Sequence, residues 1–177
     1  MNREQFKAMQ APLKEKYQRD PRTAVVTLRA TGRASADLAF TVETHEGPIE
    51  AGLHPSAGGE GTLATAEDML LETLVACSGV TLQAVATSFG VELREARIVA
   101  EGDLDVRGTL AVSKDVPVGF REIRLRFELD SQASDEKLDR LIEATERYCI
   151  VLQTLRQPTE IRSTAPSSRA THPSVVF

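Results

Sequence analysis

The stretch EDMLLETLVACSGVTLQAVATSFG, residues 67–90, is apolar along nearly its whole length after its first two residues. Thr65 followed by Asp68 fits a capping box with an acid in the reciprocal position, and Gly90 stands just past the last apolar turn. The spacing predicts a single helix from about Ala66 to Phe89. Leu70, Leu71, Leu74, Val75, Cys77, Val80, Leu82, Val85 and Phe89 take up most of its circumference. A helix tolerates that pattern in water only when it is buried on nearly all sides, so the fold must be built around it.

The flanking periodicities supply what can bury it. Phe6, Met9, Leu13, Lys16 and Tyr17 recur at helical spacing over residues 2–19, and Pro21 ends that short amphipathic helix. TAVVTLRATGR (23–33) and ADLAFTVET (36–44) predict a hairpin turning near Gly32 to Ser35. HEGPIEAGLHPSAGGEG (45–61) reads as a loop holding one short strand through IEAGL. Further strands are expected in ELREARIVAEGDL and GTLAVS. Ile123, Leu125, Phe127 and Leu129 alternate with Arg124, Arg126 and Glu128 as in a strand with one wet face. SDEKLDRLIEATERYCIVLQTLR returns to helical spacing with Ser134 as N-cap, and it places Cys149 on its apolar stripe. PTEIRST suggests a last strand and APSSRATHPSVVF a polar tail. This order gives an α+β layout, and 177 residues suit one domain.

Composition narrows the function. A net charge of −5 argues against a phosphate-binding surface, hence against nucleic acid as a partner. No apolar run free of polar groups reaches membrane-spanning length and no secretory leader is evident, so the expectation is a soluble, cytoplasmic protein with no membrane partner. His45, His54 and His172 lack ligand spacing with each other or with the cysteines, so no metal is expected.

The chain has two cysteines, Cys77 and Cys149, each on a core-facing helical stripe. Taken singly, a buried thiol is a small apolar side chain that fills a gap. Taken together, the pair opens a different chemistry: a thiolate oxidised by peroxide to sulfenic acid can be closed to a disulfide by a second thiol nearby. That chemistry needs a depressed thiol pKa, which a cation supplies most directly, and no lysine or arginine lies between Glu67 and Gly90. Arg29 and Arg33 are available from the first strand, although each alone reads as a surface charge.

TAEDMLLETLVACSGVTLQAVA resembles the central helix of the OsmC/Ohr family (osmotically inducible protein C and organic hydroperoxide resistance proteins), with its threonine-containing lead-in, its glutamate, and its cysteine ten positions later. ATGR at 30–33 is similar to the family segment that ends in the active-site arginine. GF at 119–120 precedes a strand as in the family, and YCIVLQTL holds the place of the second cysteine. The resemblance covers about residues 22–162, leaving 1–21 as an N-terminal helical extension and 163–177 as a C-terminal tail. It implies an intertwined α+β homodimer with antiparallel-rich sheets around long buried central helices. It also implies a thiol-dependent peroxidase that reduces organic hydroperoxides, uses no bound cofactor, and depends on an external dithiol reductant.

By position, the resemblance makes Cys77 the peroxidatic thiol, Cys149 the resolving thiol, Arg33 the activating cation, with Arg29 as the alternative, and Glu67 the carboxylate orienting that arginine. The other reading, from the same fold, is a non-catalytic dimer that binds an apolar small molecule or senses redox state. Ile150 stands where the family commonly has proline, which predicts a helix running unbroken through Cys149. Ten residues separate Glu67 from Cys77 by about 15 Å along one helix. They cannot share a site within one chain unless the start of the helix is bent or irregular, whereas two such helices packed antiparallel across a two-fold axis would bring the start of one to the middle of the other. Leu74, Val80 and Phe120 are expected to wall the site.

Overall fold

The structure is a computed structural model and describes residues 1–157 and 159–164. Helix α1, Arg3–Arg19, opens on a reciprocal cap: the Asn2 side chain accepts from the Gln5 N–H at 2.9 Å, and the Gln5 side chain accepts from the Asn2 N–H at 3.0 Å. Asp20 closes it ahead of Pro21. Its apolar stripe is only partly covered, with Phe6 and Tyr17 half-buried and Met9 and Leu13 exposed.

Strands β1 (Thr31–Ala34), β2 (Phe40–Thr44), β3 (Gly47–Gly52) and β4 (Ala64–Thr65) form one sheet in that order, antiparallel except for the β3–β4 pair. The first strand begins later than the threonine- and valine-rich sequence suggests. The pairing with β2 stops at Thr31 opposite Glu43, one residue short of the end of β2 at Thr44, and Val25, Val26 and Leu28 remain exposed. The hairpin also turns later, at Ala36–Ala39, where Asp37 and Leu38 both take positive φ as in a type I′ turn. Gly32 serves a different purpose. It lies within β1, where a Cβ would run into the Phe40 ring and the Thr41 carbonyl.

Helix α2 runs over Ala66–Phe89, the bounds its cap residues predict. Thr65 Oγ1 accepts the Asp68 N–H at 3.3 Å and donates to Asp68 Oδ2 at 2.7 Å, while Gly90 at φ 63° ends the helix in the left-handed conformation. By length and composition alone α2 could cross a membrane, contrary to the expectation that no segment would. Its flanks are nevertheless taken up by protein: it packs on α1, on β5 (Leu93–Leu104), on α4 (Asp135–Tyr148) and on α5 (Ile150–Arg156). Only one side is covered, however. Leu74, Ser78, Leu82, Val85 and Ala86 are buried, whereas Leu70 and Phe89 are exposed and Val80 is 73% exposed. The all-round burial expected of this helix is therefore half met within one chain.

β5 pairs antiparallel with β6 (Phe120–Ser131) in a second, two-stranded sheet. Ile98, Phe127 and Leu129 pack beside Leu82, Val85 and Leu141 between this sheet, α2 and α4. On the wet face Arg97 pairs with Glu128, Arg126 with Glu101, and Arg124 with Asp103 across the strands. These exposed pairs contribute little stability. The expected strand in GTLAVS is absent: Val106–Thr109 forms a single helical turn, α3, and Ala111 reverses the chain at φ 56°. Residues 159–164 form no strand, while Pro158 and the tail from 165 onward lie outside the described residues. Leu82 is fully enclosed, so Leu82→Ala is expected to cost about 2–5 kcal/mol, measured by urea denaturation at fixed protein concentration.

Candidate active site

The second helical segment does not run through Cys149. Residue 149 adopts φ −72° and ψ 109° and separates α4 from α5 without the help of a proline. In an unbroken helix the Ile150 N–H would bond to the Glu146 carbonyl and the Val151 N–H to that of Arg147. Here the Gln153 side-chain amide donates to the Glu146 carbonyl at 2.8 Å, and Arg156 pairs with the Glu146 carboxylate at 2.9 Å. The break thus frees the amides of Ile150 and Val151, and both act on the Cys77 sulfur.

Cys77 and Cys149 lie 72 positions apart in sequence and belong to one cluster, with Leu74, Leu152, Ile123 and Leu125 around them. Both are free thiols, Cys149 fully buried and Cys77 half-buried. Partial burial is the largest single influence on Cys77 and opposes ionisation. It is outweighed by hydrogen bonds from the Val151 N–H, the Cys149 thiol, the Ile150 N–H and the Thr81 hydroxyl, which together hold the Cys77 pKa below the ordinary thiol value. Beside this group, Ser78 Oγ stands 3.4 Å from Cys149 Sγ, both atoms belonging to side chains without solvent exposure.

The charged residues expected at the site are elsewhere within one chain. Arg33 is exposed on β1 and pairs with Glu43 across the hairpin, Arg29 is exposed in the unpaired lead-in to β1, and Glu67 is half-buried in the first turn of α2. Among the described residues, no cation belongs to the groups that shift Cys77. Of the expected walls, Leu74 lies beneath the thiols, Val80 faces solvent, and Phe120 lies over Gly102 on β5. A cleft of about 490 Å³ opens between the Ala36–Ala39 turn and the loop Gly58–Leu63, and neither sulfur lines it.

Sequence reasoning looked for a cation and missed the groups that do act on Cys77. The Thr81 hydroxyl was legible, four residues along the same helix face. The two amides were not, because only the break at Cys149 makes them available.

The comparisons agree with this architecture. The family model described as OsmC-like protein matches residues 59–164, more than half of the chain. No curated protein matches the sequence. Among solved structures, the OsmC-like protein from Mycoplasma pneumoniae aligns with a TM-score of 0.63 at 20% identity, covering 74% of this chain and 88% of its own. An organic hydroperoxide resistance protein from Elizabethkingia anophelis aligns at 0.61 and 18% identity, over 76% of this chain and 91% of its own. OhrB of Bacillus subtilis, an organic hydroperoxide resistance protein, aligns at 0.52 and 20%, over 75% and 93%. At these identities the structural likeness speaks for the fold, and the sequence match supplies the membership: the chain belongs to the family of OsmC-like proteins.

Proposed function

We propose that this protein is a thiol-dependent peroxidase that reduces organic hydroperoxides. The observation that carries this reading is the meeting of Cys77 and Cys149 at the α4–α5 break, with Cys77 made more acidic by the groups around it. The Cys77 thiolate attacks the terminal peroxide oxygen, the O–O bond breaks, and protonation of the leaving alkoxide gives an alcohol and a Cys77 sulfenic acid. Cys149 then displaces that oxygen as water and forms a disulfide. An external dithiol restores both thiols by exchange. Two of the structural neighbours are named as organic hydroperoxide resistance proteins, which agrees with the choice of substrate class.

The reading includes a homodimer. Cys77 lies at the border between the buried side of α2 and its exposed apolar side, so a second α2 packed antiparallel there would cover the stripe. It would also carry Arg33 and Glu67 of the second copy toward the thiol. Those two residues act, in this account, only in the assembled protein: Glu67 orients Arg33, and Arg33 stabilises the thiolate and polarises the O–O bond.

Cys149→Ser tests the division of labour. This variant should consume one equivalent of cumene hydroperoxide per chain and then stop in the presence of dithiothreitol kept too dilute to reduce the sulfenate directly, with the sulfenic acid trapped by dimedone at Cys77. Undiminished turnover would remove Cys149 from the cycle. If the parent protein consumes no hydroperoxide with dithiothreitol or dihydrolipoamide, the non-catalytic binding or sensing role replaces the enzyme.

A further inference from the structure

Ser78 is the buried polar residue next to the thiols that the cycle above leaves without a task. The helices of this chain have a common way of accommodating a hydroxyl: Thr73, Thr87, Thr145 and Thr154 each donate to the carbonyl four residues back, at 2.7 to 2.8 Å. Ser78, also in a helix interior and fully buried, is not bonded in that way. Its hydroxyl is turned instead to Cys149 Sγ at 3.4 Å. Alanine would suit this position better by helix propensity and would bury no polar atom. The hydroxyl therefore has a use at the sulfur rather than in the helix.

We propose that Ser78 is a catalytic hydroxyl of the resolving step, an inference that rests on the peroxidase reading. Its O–H, donated to Cys149 Sγ, keeps that sulfur facing Cys77 and stabilises the thiolate charge that appears on it as its proton departs. The sulfur–sulfur bond forms with the electron pair of Cys149. The S–O bond of the Cys77 sulfenic acid breaks, and the departing hydroxide takes the Cys149 proton and leaves as water. Ser78 keeps its own proton, and no reactant beyond the hydroperoxide is needed.

The test separates the two steps by quenched-flow mass analysis after one equivalent of cumene hydroperoxide, comparing the parent protein, Ser78→Ala and Ser78→Thr. Ser78→Ala should close the disulfide roughly tenfold more slowly, the loss expected for one hydrogen bond to a developing charge. Formation of the sulfenic acid should change by less than about twofold, and Ser78→Thr should recover most of the closing rate. A second arm needs no peroxidase chemistry: Cys77 is loaded with glutathione as a mixed disulfide, and the rate at which Cys149 releases glutathione is measured. There too Ser78→Ala should be slow. Closure by Ser78→Ala at the parent rate in both arms would overturn the proposal, as would equal slowing of both steps with no recovery in Ser78→Thr. A parent protein that never forms the sulfenic acid would fail the peroxidase reading alone, and the glutathione arm would still decide the role of Ser78.

Discussion

Cys77→Ser is expected to lower cumene hydroperoxide consumption with dithiothreitol or dihydrolipoamide as reductant by at least about 1000-fold, to the uncatalysed background. Serine keeps the size and the helix geometry, and it retains a hydroxyl that the Ile150 and Val151 amides can still meet. What it lacks is an anion at neutral pH, because an alcohol is far less acidic than a thiol. The amides at the α4–α5 break lower the Cys77 pKa and so enlarge its thiolate fraction near neutrality, but they cannot ionise a serine. The loss should therefore appear in kcat/KM with no change in thermal stability. Retention of more than a tenth of the parent activity would mean that the electrons come from some other group.

Val80→Glu should produce the second large effect, by a different route. Val80 is 73% exposed in one chain and lies on the uncovered side of α2, three residues from Cys77 and ten from Leu70. If a second α2 covers this side, a glutamate there is buried without a partner, at a cost of several kcal/mol. Light scattering should then show a monomer at micromolar concentration, the apparent dissociation constant having risen at least about 100-fold. Activity should fall with it although Cys77, Cys149, Arg33 and Glu67 are all still present, because among the described residues no cation acts on Cys77 within one chain. A monomeric parent protein would refute the shared site, and an active monomeric variant would remove any need for it.

The parts of the fold that local chemistry specifies were legible in the sequence. Thr65, Asp68 and Gly90 bracket α2 by capping, and strict alternation from Ile123 to Leu129 marks β6, since neither signal depends on what packs nearby. Features set by distant partners were not legible. The chain from Val25 to Leu28 has the composition of a strand, yet β2 is too short to pair with it. GTLAVS has it too, but lies in the connection between β5 and β6. The turn at Asp37 and Leu38 puts a leucine at positive φ, where that side chain is seldom found, so Gly32 was the more legible turn signal.

The break at Cys149 is the most consequential of these cases. With Ile150 in place of proline, nothing local interrupts the helix; the interruption coincides with long-range contacts, including Ser78 against Cys149 and the burial of Leu152. The two thiols were visible as the pair to watch, and the structure unites them. The cation assigned to them by resemblance, Arg33, pairs instead with Glu43 in the single chain, and Glu67 remains a helix start about 15 Å from Cys77 along the axis. Symmetry could bring these residues to the thiol, but a single sequence does not express symmetry.

Whether Cys77 and Cys149 form one redox unit is decided by non-reducing peptide mass analysis. After one equivalent of cumene hydroperoxide, nearly every chain should carry an intrachain Cys77–Cys149 disulfide, two hydrogens lighter than the reduced protein and reversed by a dithiol. Cys77 oxidised to sulfinic acid with Cys149 still free, or both thiols untouched while the hydroperoxide persists, would contradict it.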